Sequence, residues 1–274
     1  MHILLIGTGY VGIALLTSWS NPNDHFLATT TTESKLEIIK RHKRVQRSIL
    51  LNITEESDLK PYIDTCDAVV ICVAPKNEAN YSDTYLTTAI SVRRALIGRD
   101  KPLALVYTSS TGVYGDHKGG WVDENSDQHF SSKRGEILSE VENTLLSCAN
   151  AQIDVCILRL GGIYGPSRTL DERARRLSTR QMEGIGGEPT NHTHLQDITS
   201  AIEFCIQNRL NGIYNLVGND HPCRKELYTR LCTKLGIPPP KWDATSELST
   251  TSACVSNKKI QAAGYILKRP TLDN

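Results

Sequence analysis

The chain has no run of apolar residues approaching the about 18 that a membrane span requires. Its apolar start is too short for a signal peptide and passes at once into a glycine loop, so neither a membrane segment nor a leader is expected. Charge of one sign is missing too. The 31 Lys and Arg are balanced by 30 Asp and Glu, interleaved along the chain, for a net charge of +1. That removes the electrostatic case for nucleic acid or a lipid surface as partner. None of the eight cysteines (66, 72, 148, 156, 205, 223, 232 and 254) forms a Cys-x-x-Cys pair. Cys72, Cys156 and Cys205 lie in apolar runs, where cysteine behaves as a small hydrophobe. They read as reduced, and the protein as cytoplasmic. Metal ligands are sparse. His192 and His194 stand two apart with His221 elsewhere, short of a closed ligand set, so structural or substrate-lining roles are expected and no metal. There is no tandem repeat.

What is present is concentrated at the start. The apolar stretch His2–Ile6 runs into Gly7-Thr8-Gly9-Tyr10-Val11-Gly12 and then Ile13-Ala-Leu-Leu16. This is G-x-G-x-x-G between a strand and a helix. The first glycine permits the tight turn, the second lets backbone approach a pyrophosphate, and the third lets helix pack on strand. The helix N-terminus adds N–H groups and a positive dipole end for phosphates. The loop therefore points to a nicotinamide-dinucleotide site.

Strands are expected at 2–6, 25–29, 49–53, 68–73, 103–108 and 153–158. The runs Ala68–Val73 and Leu103–Thr108 are almost continuously apolar, as in parallel strands buried on both faces. Helical stripes occur at 135–149, at 198–206 with Asp197 as N-cap, and at 227–235, which Gly236 stops. A charged helix is expected near 170–182, its Arg173–Arg176 cluster read as a solvated face, and Gly184–Pro189 reads as a mobile loop. Strands separated by helices imply right-handed crossovers. The expected fold is α/β: a Rossmann-type doubly wound parallel sheet at 1–158 and a smaller C-terminal substrate lobe at 159–274. Thr111-Gly-Val-Tyr-Gly115 and Gly161-Gly-Ile-Tyr-Gly165 echo each other, each after a strand, and both are expected to face the cofactor crevice.

With these residues on the page, the chain resembles the extended short-chain dehydrogenase/reductase superfamily, in its NAD-dependent epimerase/dehydratase branch. Further markers are Asp67–Pro75 with Ala74-Pro75, Thr108–Gly115, Arg159–Pro166, Asn191–Asp197, Ile213–Val217 and Val255-Ser-Asn257. Among the members it is most similar to a small atypical group. The resemblance implies a catalytic Ser, Tyr and Lys, and Ser110 matches the Ser. The Tyr-x-x-x-Lys pair is not where it should be. Phe130 precedes Lys133 by three, and aligning on the following helix gives Arg134 and Leu138. The chain's one Tyr-x-x-x-Lys, Tyr114 to Lys118, lies in a loop, and Tyr114 is the expected substitute acid/base. At the end of the second strand hydroxyls replace the acidic residue that selects NAD. Thr31 and Lys35 suit a 2′-phosphate, so NADP is expected, with NAD left open through Glu33. Asn52 takes the place beside the adenine. The function expected is an NAD(P)-dependent oxidoreductase or epimerase/dehydratase acting on a hydroxylated, nucleotide-sugar-like small molecule. The alternative is a non-catalytic redox sensor. The resemblance leaves a homodimer open.

Overall fold

The structure is a computed structural model and describes residues 1–53, 58–75, 79–130, 132–243, 245 and 252–272. Seven strands form one parallel sheet: β1 His2–Ile6, β2 His25–Thr30, β3 Val45–Leu50, β4 Ala68–Ile71, β5 Leu103–Ser110, β6 Ile153–Leu160 and β7 Gly212–Leu216. Their order is β7-β6-β5-β4-β1-β2-β3. Leu5 on β1 stands opposite Ala28 on β2 and Val70 on β4. The order reverses beside β1, which opens a crevice at the carboxyl ends of β1 and β4, where doubly wound sheets bind ligands.

The helices follow in chain order: α1 Tyr10–Ser18, α2 Glu33–Lys40, α3 Lys60–Ile63, α4 Tyr81–Leu96, α5 Lys133–Leu146, α6 Leu170–Leu177, α7 Leu195–Gln207, α8 Arg224–Leu235 and α9 Lys258–Ala262. The chain divides into two compact units that interleave in sequence. The first holds 1–110, 133–159 and 198–214; the second holds 111–132, 160–197 and 215–274. A single boundary at 158 therefore does not describe the division. The chain leaves the sheet after β5 and again after β6, and returns each time.

In the first unit, β1, β4 and β5 present Leu4, Ile6, Val69, Ile71, Leu103, Leu105 and Tyr107 to a core completed by Val92 of α4 and Ile137, Val141 and Leu145 of α5. The apolar stripe expected at 135–149 is thus the buried face of α5. In the second unit α6 and α8 pack through Leu170, Ala174, Leu227, Leu231 and Cys232. Thr169 and Glu172 form a reciprocal capping box at the start of α6. Gly236, at φ 65, ends α8 in the left-handed region where glycine carries no Cβ penalty.

Four expectations need correcting. β3 is Val45–Leu50, earlier than 49–53, because it is an edge strand whose exposed Gln46 and Arg47 hide the pattern. β7 was not expected as a strand; it is five residues long and buries a polar residue, Asn215. α7 begins at Leu195, so Asp197 lies in its first turn. There its carboxylate accepts from the backbone N–H groups of Lys268 and Arg269 and from the Tyr265 hydroxyl, fastening the C-terminal segment. The loop expected to be mobile is tied down: Gly186 and Glu188 carbonyls accept from Lys225 and Arg224 at the start of α8. All eight cysteines are unpaired, and seven are buried.

Candidate functional site

In the first unit, the residues singled out from the sequence gather at the carboxyl edge of the sheet. β1 ends at Ile6 and α1 begins at Tyr10, so the glycine loop is the turn between them. Gly7 has φ +98, and a Cβ there would lie 2.9 Å from the Cys72 carbonyl oxygen just past β4. A Cβ on Gly12 would lie 2.2 Å from the Gly7 carbonyl oxygen. On Gly9 it would meet nothing within 4 Å. The first and third glycines thus serve close packing, and the second is clear. Thr29 of β2 pins the loop. Its hydroxyl accepts from Gly7 N–H at 3.1 Å, and its carbonyl accepts from Thr8 N–H and Thr8 Oγ1 at 3.1 and 2.9 Å. Thr8 is therefore buried and turned to β2. Val11 is buried as well, and Tyr10 is partly exposed. Gly9 is the N-cap of α1 and makes no side-chain capping bond.

At the end of β2, Thr31, Glu33 and Lys35 are all exposed around the first turn of α2. Thr32 is the N-cap of α2, but its side chain makes no capping bond. Leu51 N–H donates to the Thr30 carbonyl at 2.8 Å, which holds the chain after β3, with exposed Asn52, beside β2. Ala74 is exposed and Pro75 partly so. Burial pushes the Cys72 thiol up to about 12, so it is no nucleophile at neutral pH.

Ser110, at the end of β5, is partly exposed. Its neighbour Ser109 is buried and donates to Glu142 Oε1 at 2.6 Å. Glu142 of α5 also receives Arg159 of β6, with Arg159 Nη2 2.7 Å from Oε2 and both side chains 1% exposed. This buried triad joins β5, α5 and β6, and the sequence reading missed it. The available signal was a carboxylate next to Val141 on an otherwise apolar stripe. At the start of α5, Lys133 and Arg134 are exposed and Leu138 is buried. Of the two alignments the resemblance allows, the one on this helix thus pairs an exposed cation with a core leucine, and the other pairs exposed Phe130 with exposed Lys133.

The second unit has its own network. Tyr114 is fully buried, and its hydroxyl donates to Asn215 Oδ1 at 2.7 Å. Asn215 N–H donates to Glu124 Oε1, and its amide donates to the Ser256 carbonyl. This corrects the expectation of Tyr114 as an acid/base in an open crevice. A phenol so enclosed exchanges protons with a substrate only after unpacking. The two echoing loops share a packing reason. A Cβ on Gly115 would lie 1.5 Å from the His129 carbonyl oxygen, and one on Gly161 would lie 2.7 Å from that of Asn191. Asn191 accepts from Val255 N–H and donates to the Ala253 carbonyl, so the Val255-Ser256-Asn257 segment is clamped by asparagine side chains. His192 is 4% exposed. Burial, aided by the Arg173 charge, pushes it down to about 4. Its Nε2 lies 3.3 Å from Arg173 Nη1. A guanidinium only donates, so Nε2 accepts and the ring proton sits on Nδ1. Tyr164 meets His192 and His194 edge to face. Among the described residues no group of three or more His, Cys, Asp or Glu is arranged to hold a metal, and no helix is long and apolar enough to cross a membrane.

A parallel sheet reversing at a glycine loop, which leads into a helix with no side-chain cap, defines a Rossmann-type fold. The chain belongs to the NAD dependent epimerase/dehydratase family, which it matches over residues 3–217. It is similar to Protein YeeZ of Escherichia coli strain K12, with 27% identity over 245 residues, 88% of this chain and 86% of that one. Among solved structures, it is similar to UDP-glucuronic acid 4-epimerase from Bacillus cereus in complex with NAD: TM-score 0.79, 18% identity, covering 99% and 95% of the two chains. It is also similar to human epimerase family protein SDR39U1 (isoform 2) with NADPH: TM-score 0.75, 16% identity, covering 99% and 96%.

Proposed function

We propose that the protein is an NADP(H)-dependent oxidoreductase or epimerase/dehydratase acting on a hydroxylated small molecule of nucleotide-sugar type. The observation that carries the cofactor half is the contrast within the glycine loop: Gly7 and Gly12 are closed by backbone, while Gly9 is clear at the start of α1. A pyrophosphate fits such a place. Gly9 and the first-turn amides of α1 would hold it, Asn52 would lie beside the adenine, Ala74 and Pro75 would line the far side, and Ser110 would hydrogen-bond the reacting oxygen. The bound nicotinamide would supply hydride chemistry. The structural relatives named above were solved with NAD in one case and NADPH in the other, which supports a nicotinamide cofactor without choosing between them. Thr31 and Lys35, exposed where a 2′-phosphate would lie, favour NADP. A cytoplasmic location and a small-molecule partner go with this reading.

A second reading, a dinucleotide-binding redox sensor, is favoured by one observation: neither alignment supplies the dyad, one giving Phe130 and Lys133 and the other Arg134 and buried Leu138. Calorimetric titration with NADPH and NADH, followed by a turnover screen over keto and hydroxy compounds, separates the two. NADPH should bind about tenfold more tightly, the worth of one charge-assisted contact. Lys35→Glu should shrink or reverse that preference. NADH binding as tightly as NADPH would overturn the NADP assignment and point to Glu33. Tight NADPH binding with no turnover across the screen would shift the weight to the sensor.

A further inference from the structure

The first unit places three tyrosines and a cation where the family dyad is missing. Tyr81 opens α4, the helix that follows β4 in the chain, at the same carboxyl edge as the glycine loop and Ser110. Arg134, in the first turn of α5, stands over the Tyr81 ring with its guanidinium carbon 5.5 Å from the centroid. Tyr85, one turn along α4, meets Tyr81 edge to face at 4.9 Å between centroids. Tyr107 of β5 lies behind them. It is 1% exposed, and its hydroxyl is buried with no hydrogen-bond partner among the described residues. A phenylalanine would fill that space without stranding a polar atom, so packing alone does not account for Tyr107.

We propose that Tyr81, activated by Arg134 and backed by Tyr85 and Tyr107, is the proton donor that replaces the missing dyad; this rests on the oxidoreductase reading above. The family arrangement needs a phenol and a nearby cation to stabilise its phenolate. Here the phenol comes from α4 and the cation from α5. In the direction of carbonyl reduction, the Tyr81 O–H bond breaks and its proton goes to the substrate oxygen as that oxygen becomes a hydroxyl. The hydride added to carbon comes from the reduced nicotinamide of the proposed site. The Tyr81 phenolate, facing Arg134, then recovers a proton from water. Half-burial holds the Tyr81 phenol above its usual range against the opposing pull of Arg134. Tyr85 is pushed up to about 12, and Tyr107 is held well above its usual range, both mainly by burial. All three are therefore protonated at neutral pH, as acids must be. The charged or titratable groups around Tyr81 are Arg134, Tyr85 and Tyr107, with Glu142 behind Tyr107.

The test is carbon-13 NMR of the full chain labelled at the tyrosine ζ carbons, with Tyr81→Phe assigning the resonance. Saturating NADP⁺, its binding followed by its own nicotinamide protons in the same tube, should move the Tyr81 signal. Tyr62, in α3 under Arg47 of β3 and without Arg134 over its ring, should stay in place. Arg134→Ala should lower the Tyr81 acid constant, because the positive charge favours the phenolate over the phenol. With any substrate found, Tyr81→Phe should lose about 10²–10⁴-fold in kcat while Tyr62→Phe does not. A Tyr81 signal indifferent to bound NADP⁺, or an acid constant indifferent to Arg134→Ala, would overturn the proposal while leaving the cofactor site standing. Absence of any dinucleotide binding would overturn the oxidoreductase reading, and this proposal with it.

Discussion

Gly9→Val and Gly12→Val put the same side chain into one loop, and the structure assigns them opposite consequences. At Gly9 the new Cβ has nothing within 4 Å, and the backbone, at φ −80, is one any residue adopts. The fold should hold, with a change within about 0.5 kcal/mol, as for surface substitutions. The valine would occupy the space a pyrophosphate needs, so NADPH binding should fall below detection by calorimetry or nicotinamide fluorescence. At Gly12 the Cβ would sit 2.2 Å from the Gly7 carbonyl oxygen, inside the distance any real Cβ contact shows. That neighbour is backbone, so α1 must move off β1. Overpacking of this kind costs about 1–3 kcal/mol, occasionally more. Urea midpoints measured beside the NADPH isotherms tell the two apart: Gly9→Val folded and blind to cofactor, Gly12→Val destabilised. Wild-type NADPH affinity in a folded Gly9→Val protein would refute the site. An unaltered midpoint in Gly12→Val would refute the packing argument.

The buried Arg159–Glu142 pair predicts a large stability effect. Glu142→Ala leaves a guanidinium at 1% exposure without its carboxylate and should cost about 3–5 kcal/mol, on the order of 10 °C in melting temperature. Glu37→Ala, at the exposed Lys40–Glu37 pair, should cost no more than about 1 kcal/mol, and equal losses in both variants would contradict this reading. Tyr114→Phe strips a donor from buried Asn215 and should lower stability by about 1–3 kcal/mol while leaving turnover within a few-fold. A hundredfold loss of kcat at unchanged stability would instead restore Tyr114 as the acid/base. His192 is neutral in the folded state down to about pH 4, whereas the unfolded chain takes up this proton near pH 6.5. Its folded value is depressed, so its contribution is intact above about pH 6.5 and is lost as pH falls toward 4, a drop of about 3 kcal/mol in urea-measured stability. Asp197, whose carboxyl burial raises, works in the opposite sense over the lower part of that window. His192→Phe should flatten the slope, and an unchanged slope would show that His192 is not its source.

The parts of the fold legible beforehand were those with a period. β1, β4, β5 and β6 are apolar nearly throughout because helices cover both faces, and α5 shows its buried stripe at helical spacing. The glycine loop was legible residue by residue, since each glycine answers a separate steric demand. β3 and β7 were obscured for opposite reasons: one is an exposed edge, and the other buries Asn215. The interleaved units were not legible because periodicity says where elements lie, not which of them pack together. The same holds for the site. Arg159, Glu142 and Ser109 are far apart in sequence and meet only through the order β6-β5 and the helix beside them. Tyr114 misled because loop position after a strand says nothing about which way a side chain turns, and Asn215, a hundred residues on, decides it.

The arrangement separates two jobs that the family dyad combines on one helix. In this chain the first turn of α5 keeps a positive charge at Arg134 but no phenol, and its next turn goes to the core through Leu138. α5 is instead anchored internally, through Glu142, to the strand that carries Ser110. A helix fixed by a buried ion pair holds its first turn in place, so Arg134 stands at a defined distance from α4. The charge that the dyad would place beside its own tyrosine is thus available to a tyrosine on the neighbouring helix. Loosening that anchor should therefore weaken the Arg134–Tyr81 contact without touching either residue. Glu142→Gln keeps an acceptor for Ser109 but removes the charge that holds Arg159. If the anchor sets the distance, this variant should shift the Tyr81 carbon resonance part of the way toward its position in Arg134→Ala. A resonance identical to wild type in folded Glu142→Gln protein would show that α5 holds Arg134 by packing alone.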